Sequence, residues 1–175
     1  MLPLAILQRA SYVRCAMDVR DLNGYGFEEL SVGMSAVYSR TITDTDLRNF
    51  AGVSGDTNPM HLNEEYAKTT AFNGCILHGL LTASLLSTVI GTKLPGPGCL
   101  YVNQTLNFKA PVYVGDTVYA KATVTELMPE RRRARLATVC EVDGRIVLDG
   151  EAIVQLPRQQ EDMAAQSARQ QAPAA

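Results

Sequence analysis

Histidine is nearly absent from this chain: two residues in 175, His61 and His78. Imidazole proton transfer near neutral pH is therefore confined to one stretch of sequence. Cysteine is sparse too. Cys15, Cys75, Cys99 and Cys140 lie far apart, with no C-x-x-C pair. That argues against a thiolate metal site and for reduced thiols in a cytoplasmic compartment. Neither sign of charge is in excess: 16 basic residues face 18 acidic ones, with a net charge of −2 and a pI near 5.7. Nothing in that balance points to nucleic acid as a partner. No run approaches the ~20 apolar residues of a membrane span, and there is no internal repeat. What is left is an ordinary globular composition, 46% hydrophobic and 19% charged, long enough for one domain with a substantial core.

The stretch from Asp56 to Gly79 holds both histidines. Asp56-Thr57-Asn58-Pro59-Met60-His61 sets a carboxylate and an imidazole five positions apart across a proline-stiffened turn. His78-Gly79 follows at the mouth of an apolar run, Leu80 to Ile90. An acid/base pair beside a helix start with free backbone N–H groups is equipment for moving protons next to a polarised carbonyl.

Around that stretch the pattern predicts a strand from Gly33 to Ile42. A helix follows, capped by Thr43 with Asp46 in its first turn and closed by Gly52 and Gly55. Asn63 caps a second short helix over Glu64 to Lys68. The run Leu80–Ile90 is apolar on nearly every face, hence a helix buried all round, with Gly91 to end it. Period-2 alternation then marks strands over Leu100–Lys109, Thr117–Leu127, Ala134–Val142 and Arg145–Leu156, the last two joined at Asp143-Gly144. Leu100, Val102, Leu106 and Phe108 form one face of the first, while Ala120, Ala122, Gly150 and Ala152 let a sheet approach the helix closely. The layout is α+β: a curled antiparallel sheet wrapped around one long buried helix.

The domain spans residues 17–157. Residues 1–16 carry Arg9 and Arg14 and no acid. They read either as a short presequence or as a mis-assigned start ahead of Met17, the second being plainer. Residues 158–175 have almost nothing to bury and read as a disordered tail.

Three segments in order, Asp56-Thr57-Asn58-Pro59-Met60-His61, Ile76-Leu77-His78-Gly79 and Phe108-Lys109-Ala110-Pro111-Val112-Tyr113-Val114-Gly115-Asp116, resemble the MaoC-like dehydratases, and among them the (R)-specific enoyl-CoA hydratases. The resemblance runs from about Phe27 to Leu156. It implies the hot-dog fold, a homodimer, and a lyase of fatty acid metabolism that adds water reversibly to trans-2-enoyl-CoA, giving (R)-3-hydroxyacyl-CoA. It implies that Asp56 and His61 are the catalytic pair and that the Gly79 N–H binds the thioester oxygen. Asn58, His78 and Ser87 would support or line the site, with an acyl-CoA thioester as partner and no metal or cofactor. Glycine at 79 suits that role, because no Cβ stands between the amide and a carbonyl. Ser87 lies about 12 Å along the helix from Gly79 and cannot reach the same carbonyl.

Blander readings stand beside these. Asp56 alone would brace its loop as an Asx-turn. Asn58 holds the loop, and His78 fixes the helix start by hydrogen bonding. Arg131-Arg132-Arg133 reads first as a solvated hairpin tip and second as a contact for coenzyme A phosphates. Cys75 and Cys99 are core or near-core thiols. Phe50, Tyr66 and Phe72 are candidates for setting chain length. A hot-dog acyl-CoA thioesterase, a dehydratase acting on acyl-carrier-protein thioesters and a non-catalytic acyl-binding subunit remain as alternatives at this level.

Overall fold

The computed structural model describes residues 22–157, so the readings of residues 1–16, of a start at Met17 and of the tail 158–175 lie outside the described residues. Strand β1 (Ser35–Thr41) passes to helix α1 (Asp44–Ser54) through the expected cap. Thr43 Oγ1 accepts from the Asp46 amide at 3.2 Å, and Asp46 Oδ2 accepts from the Thr43 amide at 2.9 Å. Each side chain satisfies a backbone donor the helix leaves unpaired, an arrangement worth about 1 kcal/mol. The Thr43 hydroxyl, and beyond it the Thr43 amide and the Arg40 guanidinium, hold the Asp46 carboxyl below the usual carboxylate range. The helix runs through Gly52 and closes at Gly55, whose φ of 76° is left-handed.

Asn58-Pro59 makes more than a turn. Asn58 Oδ1 accepts from the Met60 amide at 3.1 Å and Pro59 takes the first helical position, so the pair starts a one-turn helix, α2 (Pro59–Leu62). Asn63 caps α3 (Glu64–Lys68) in the same way. The long helix α4 (Gly79–Thr92) begins at Gly79 and runs through Gly91, which does not end it.

Five further strands follow: β2 (Leu100–Gln104), β3 (Asn107–Phe108), β4 (Thr117–Met128), β5 (Arg133–Val142) and β6 (Arg145–Gln155). They form one antiparallel sheet in the order β1-β4-β5-β6-β2, with β3 also on β6. The β5–β6 hairpin turns on Asp143 (φ 49°) and Gly144 (φ 75°), both positive as a type I′ turn requires. The sheet curls over α4, whose Leu86, Val89 and Ile90 are fully buried in one core cluster with Ala120, Ala122, Ala134 and Ala152. Burying each such aliphatic side chain stabilises by roughly 1.5–3 kcal/mol. Small residues on the sheet let the helix settle close.

Three expectations are corrected. The strand expected over Leu100–Lys109 is broken at Thr105-Leu106. There the chain crosses β6 at Gly150, where a Cβ would stand 1.8 Å from the Thr105 carbonyl oxygen. Gly150 thus serves that crossing and not the approach of the helix. Second, a register shift between Tyr101 and Asn103 precedes the break, and Leu100, Val102 and Phe108 end up exposed, with Leu106 alone of that face on the core. Third, α4 is not sheathed all round. Leu80 is 61% exposed, and Ser87 and Gly91 continue the same bare stripe. Among the described residues, no helix is long and apolar enough to cross a membrane.

Candidate active site

The one-turn helix α2 carries His61 inward, where it is 8% exposed. Its Nδ1 lies 2.8 Å from the Ile76 carbonyl oxygen. A carbonyl only accepts, so Nδ1 holds the proton of the neutral ring, and Nε2 is left with the lone pair. His78 is 2% exposed, and its Nε2 donates to the Asp56 main-chain carbonyl at 2.9 Å. The two imidazoles stack at 3.8 Å between centroids, with the Phe50 ring tilted against His78 at 5.1 Å.

The expected part for His78 was to fix the helix start. It does occupy the position before Gly79, but its side chain makes no capping bond. It reaches back 22 residues and ties the Asp56 loop to the head of α4. The Asp56 carboxylate, in turn, accepts from the Asn58 amide at 3.2 Å. The Asx-turn is therefore present, and it aims the carboxylate rather than consuming it: ligand-type atoms of Asp56, His61 and His78 all lie within 4.8 Å of one another. Such a trio is also a possible metal set, but the geometry is poor for one. Near-parallel stacked rings, 30° apart, send their in-plane lone pairs side by side, not toward one point. Two of their four ring nitrogens are already committed to carbonyls.

Gly79 is the first residue of α4, and its amide donates to no group among the described residues. Such an amide, at the positive end of a helix dipole, is a ready anion site. His61 and Gly79 line one cavity of about 320 Å³ with Phe72, Thr82, Phe108 and Val112. Phe108 roofs the glycine: a Cβ on Gly79 would meet the ring at 2.7 Å. Asp56 does not line this cavity and is solvent-exposed in the single chain.

The remaining sequence candidates fall apart from this group or serve it indirectly. Asn58 caps α2 and does not line the cavity. Ser87 is exposed and lies outside the cavity. Of the aromatic candidates, Phe72 lines the cavity, Phe50 packs behind His78, and Tyr66 is 48% exposed and lines neither. In the arginine run, Arg132 is forked onto Glu28 at 2.7 and 3.1 Å, which makes it a brace for the tip. Burial, with a hydrogen bond to Glu64, pushes the Cys75 thiol up and so disfavours the thiolate. Sequence reasoning missed the Ile76 carbonyl, the Phe108 roof and Thr82. Thr82 is marked only by its place one turn after Gly79, while Ile76 and Phe108 stand in the segments that carry the resemblance without showing these contacts.

The MaoC like domain family model matches residues 29–144. Over 141 residues the chain is 51% identical to an (R)-specific enoyl-CoA hydratase of Rhodospirillum rubrum, covering 81% of this chain and 98% of that protein. Over 135 residues it is 53% identical to a 3-hydroxybutyryl-CoA dehydratase of Methylorubrum extorquens, covering 77% of this chain and 86% of that one. Among solved structures, the unliganded R-hydratase of Pseudomonas aeruginosa superposes with a TM-score of 0.73 at 44% identity, over 77% of this chain and 86% of that one.

Proposed function

The chain belongs to the MaoC-like domain family, and on that premise we propose that Asp56, His61 and Gly79 work its reaction, with Asn58 and His78 in support. The fold is the hot-dog fold, and the protein is a hydro-lyase that hydrates trans-2-enoyl-CoA reversibly to (R)-3-hydroxyacyl-CoA. The observation that carries the assignment of residues is a single cavity lined by a fixed imidazole with Nε2 free and by an amide with no acceptor of its own.

In this reading the thioester oxygen lies on the Gly79 N–H. Water attacks C3, its oxygen bonding to carbon as the C2–C3 π pair moves toward the carbonyl and negative charge gathers on that oxygen. The amide stabilises this charge most when it is fully developed, which is the condition for lowering the barrier. His61 Nε2 takes the proton from the attacking water while the Asp56 carboxylate holds the other O–H. The imidazolium, anchored through Nδ1–H to Ile76, then returns a proton to C2. His78 keeps Asp56 in place through its main-chain carbonyl. None of these steps calls for a metal or redox cofactor.

A homodimer and a cytoplasmic location are parts of the same proposal. Asp56, the Leu80 face of α4 and the exposed Leu100 and Val102 of β2 lie open in the single chain, and a second copy would cover them. The free thiols of Cys75, Cys99 and Cys140 suit a reducing compartment.

The test is incubation of pure protein with crotonyl-CoA. Loss of the conjugated absorbance with an (R)-3-hydroxy product supports the reading. Thiol release from butyryl-CoA without such a loss overturns it in favour of a thioesterase. A sedimentation mass of one chain overturns the dimer.

A further inference from the structure

We propose that the Thr82 hydroxyl donates a second hydrogen bond to the substrate's thioester oxygen, beside the Gly79 amide. The inference rests on the hydration reading above and adds to it a residue in direct contact with substrate.

Helix hydroxyls ordinarily satisfy themselves by bonding back to a carbonyl one turn earlier. Three on α4 do so: Ser84 to Leu81 at 2.6 Å, Thr88 to Ser84 at 3.3 Å and Thr92 to Thr88 at 2.6 Å. Ser87 is exposed and meets water. Thr82 differs from all of them. It is 4% exposed as a residue, its hydroxyl bonds to no other described residue, and the oxygen is not sealed away but keeps some open surface. The carbonyl it would normally use, that of His78, already accepts from the amides of Leu81 at 3.0 Å and of Thr82 itself at 3.2 Å. A hydroxyl that faces a cavity with no protein partner calls for a reason.

Its position supplies one. Thr82 lines the same cavity as His61 and Gly79. Helical side chains lean toward the N-terminus and residues three apart share a face, so the Thr82 side chain lies over the turn that Gly79 opens. Amide and hydroxyl therefore look into one space from adjoining positions. The oxygen that becomes negative when water adds to C3 has lone pairs for two donors, and the backbone supplies one. Thr82 supplies the other and keeps its proton throughout, so the balance of the addition is unchanged. Phe72, Val112 and Phe108 line the same cavity beside them.

The experiment compares wild type with Thr82→Val, Thr82→Ala and Thr82→Ser on crotonyl-CoA. Loss of the donor in Thr82→Val and Thr82→Ala is expected to lower kcat/KM on the order of 10²-fold, as for other oxyanion donors. Thr82→Ser, which keeps the hydroxyl, should retain most of the activity. Because valine replaces an unpartnered hydroxyl with a methyl, the melting temperature of Thr82→Val should equal or exceed that of wild type, so its loss of activity is not loss of fold. The infrared carbonyl stretch of a bound, isotope-labelled thioester should shift less in Thr82→Val than in wild type. Full kcat/KM in Thr82→Val, or the same carbonyl shift, overturns the assignment while active wild type leaves the hydration reading standing. An inactive wild type overturns both.

Discussion

Replacing His61 with glutamine is expected to lower kcat for hydration of crotonyl-CoA by about 10²–10⁴-fold, the range for loss of a positioned general base. Glutamine is close to histidine in length and fills the wall of the cavity without a basic nitrogen. What disappears is the basic lone pair at Nε2, which the 2.8 Å bond from Nδ1 leaves facing away from the backbone. The acyl chain and the thioester touch other groups, so KM should change far less than kcat. Asp56→Asn should fall in the same range, because an amide holds the water with the wrong complement of donors and acceptors. The double variant tells whether the two act as a unit. If one water is shared between them, removing the second partner costs little more than removing the first. Retention of more than half of kcat in His61→Gln would remove His61 from the mechanism, whatever the fate of Asp56.

Much of this arrangement is local chemistry and so can be read along the chain. Thr43 with Asp46, Asn63, and Asp143-Gly144 each place a side-chain acceptor or a positive φ within four residues, and each forms the element expected. The buried helix at Leu80–Ile90 and the strands after Thr117 follow from periodicity in the same way. What failed to show depends on partners far off in sequence. The break between β2 and β3 comes from the Thr105 carbonyl lying over Gly150, 45 residues on, and it turns Phe108 outward onto Gly79. Hydropathy makes α4 apolar on all sides, yet hydropathy names no neighbour, and the Leu80 stripe lies bare among the described residues. His78 sits where a cap belongs, but its ring is needed 22 residues back, at the Asp56 carbonyl. The tautomer of His61 follows from the Ile76 carbonyl, a main-chain atom that no residue type could have announced. Asn58-Pro59 is a different case. An N-cap followed by proline at the first helical position is visible in the sequence, but it suits a turn equally well, because the helix it starts is a single turn long.

Gly79→Pro offers the cleanest removal of the amide, with an expected loss of about 10²–10³-fold in kcat/KM. At the first position of a helix the N–H has no intrahelical acceptor, so proline there breaks no helix bond. The preceding residue, His78, already has φ −59° and ψ 132°, the extended conformation a following proline demands. Added carbon is the complication, since any Cβ at 79 meets the Phe108 ring at 2.7 Å. That ring is 55% exposed and can swing aside, but it could swing over the cavity. Phe108→Ala therefore serves as the background. In it, Gly79→Ala reports the cost of the Cβ alone and should recover part of what Gly79→Ala loses with the ring present. Gly79→Pro in the same background keeps the Cβ and lacks the N–H. It should stay about 10²-fold or more below the alanine variant. The deficit should fall on kcat, because the bond strengthens as charge builds on the oxygen. Equal activities for the proline and alanine variants would mean that the free amide of Gly79 binds nothing in the transition state, and that the glycine is there only to make room for Phe108.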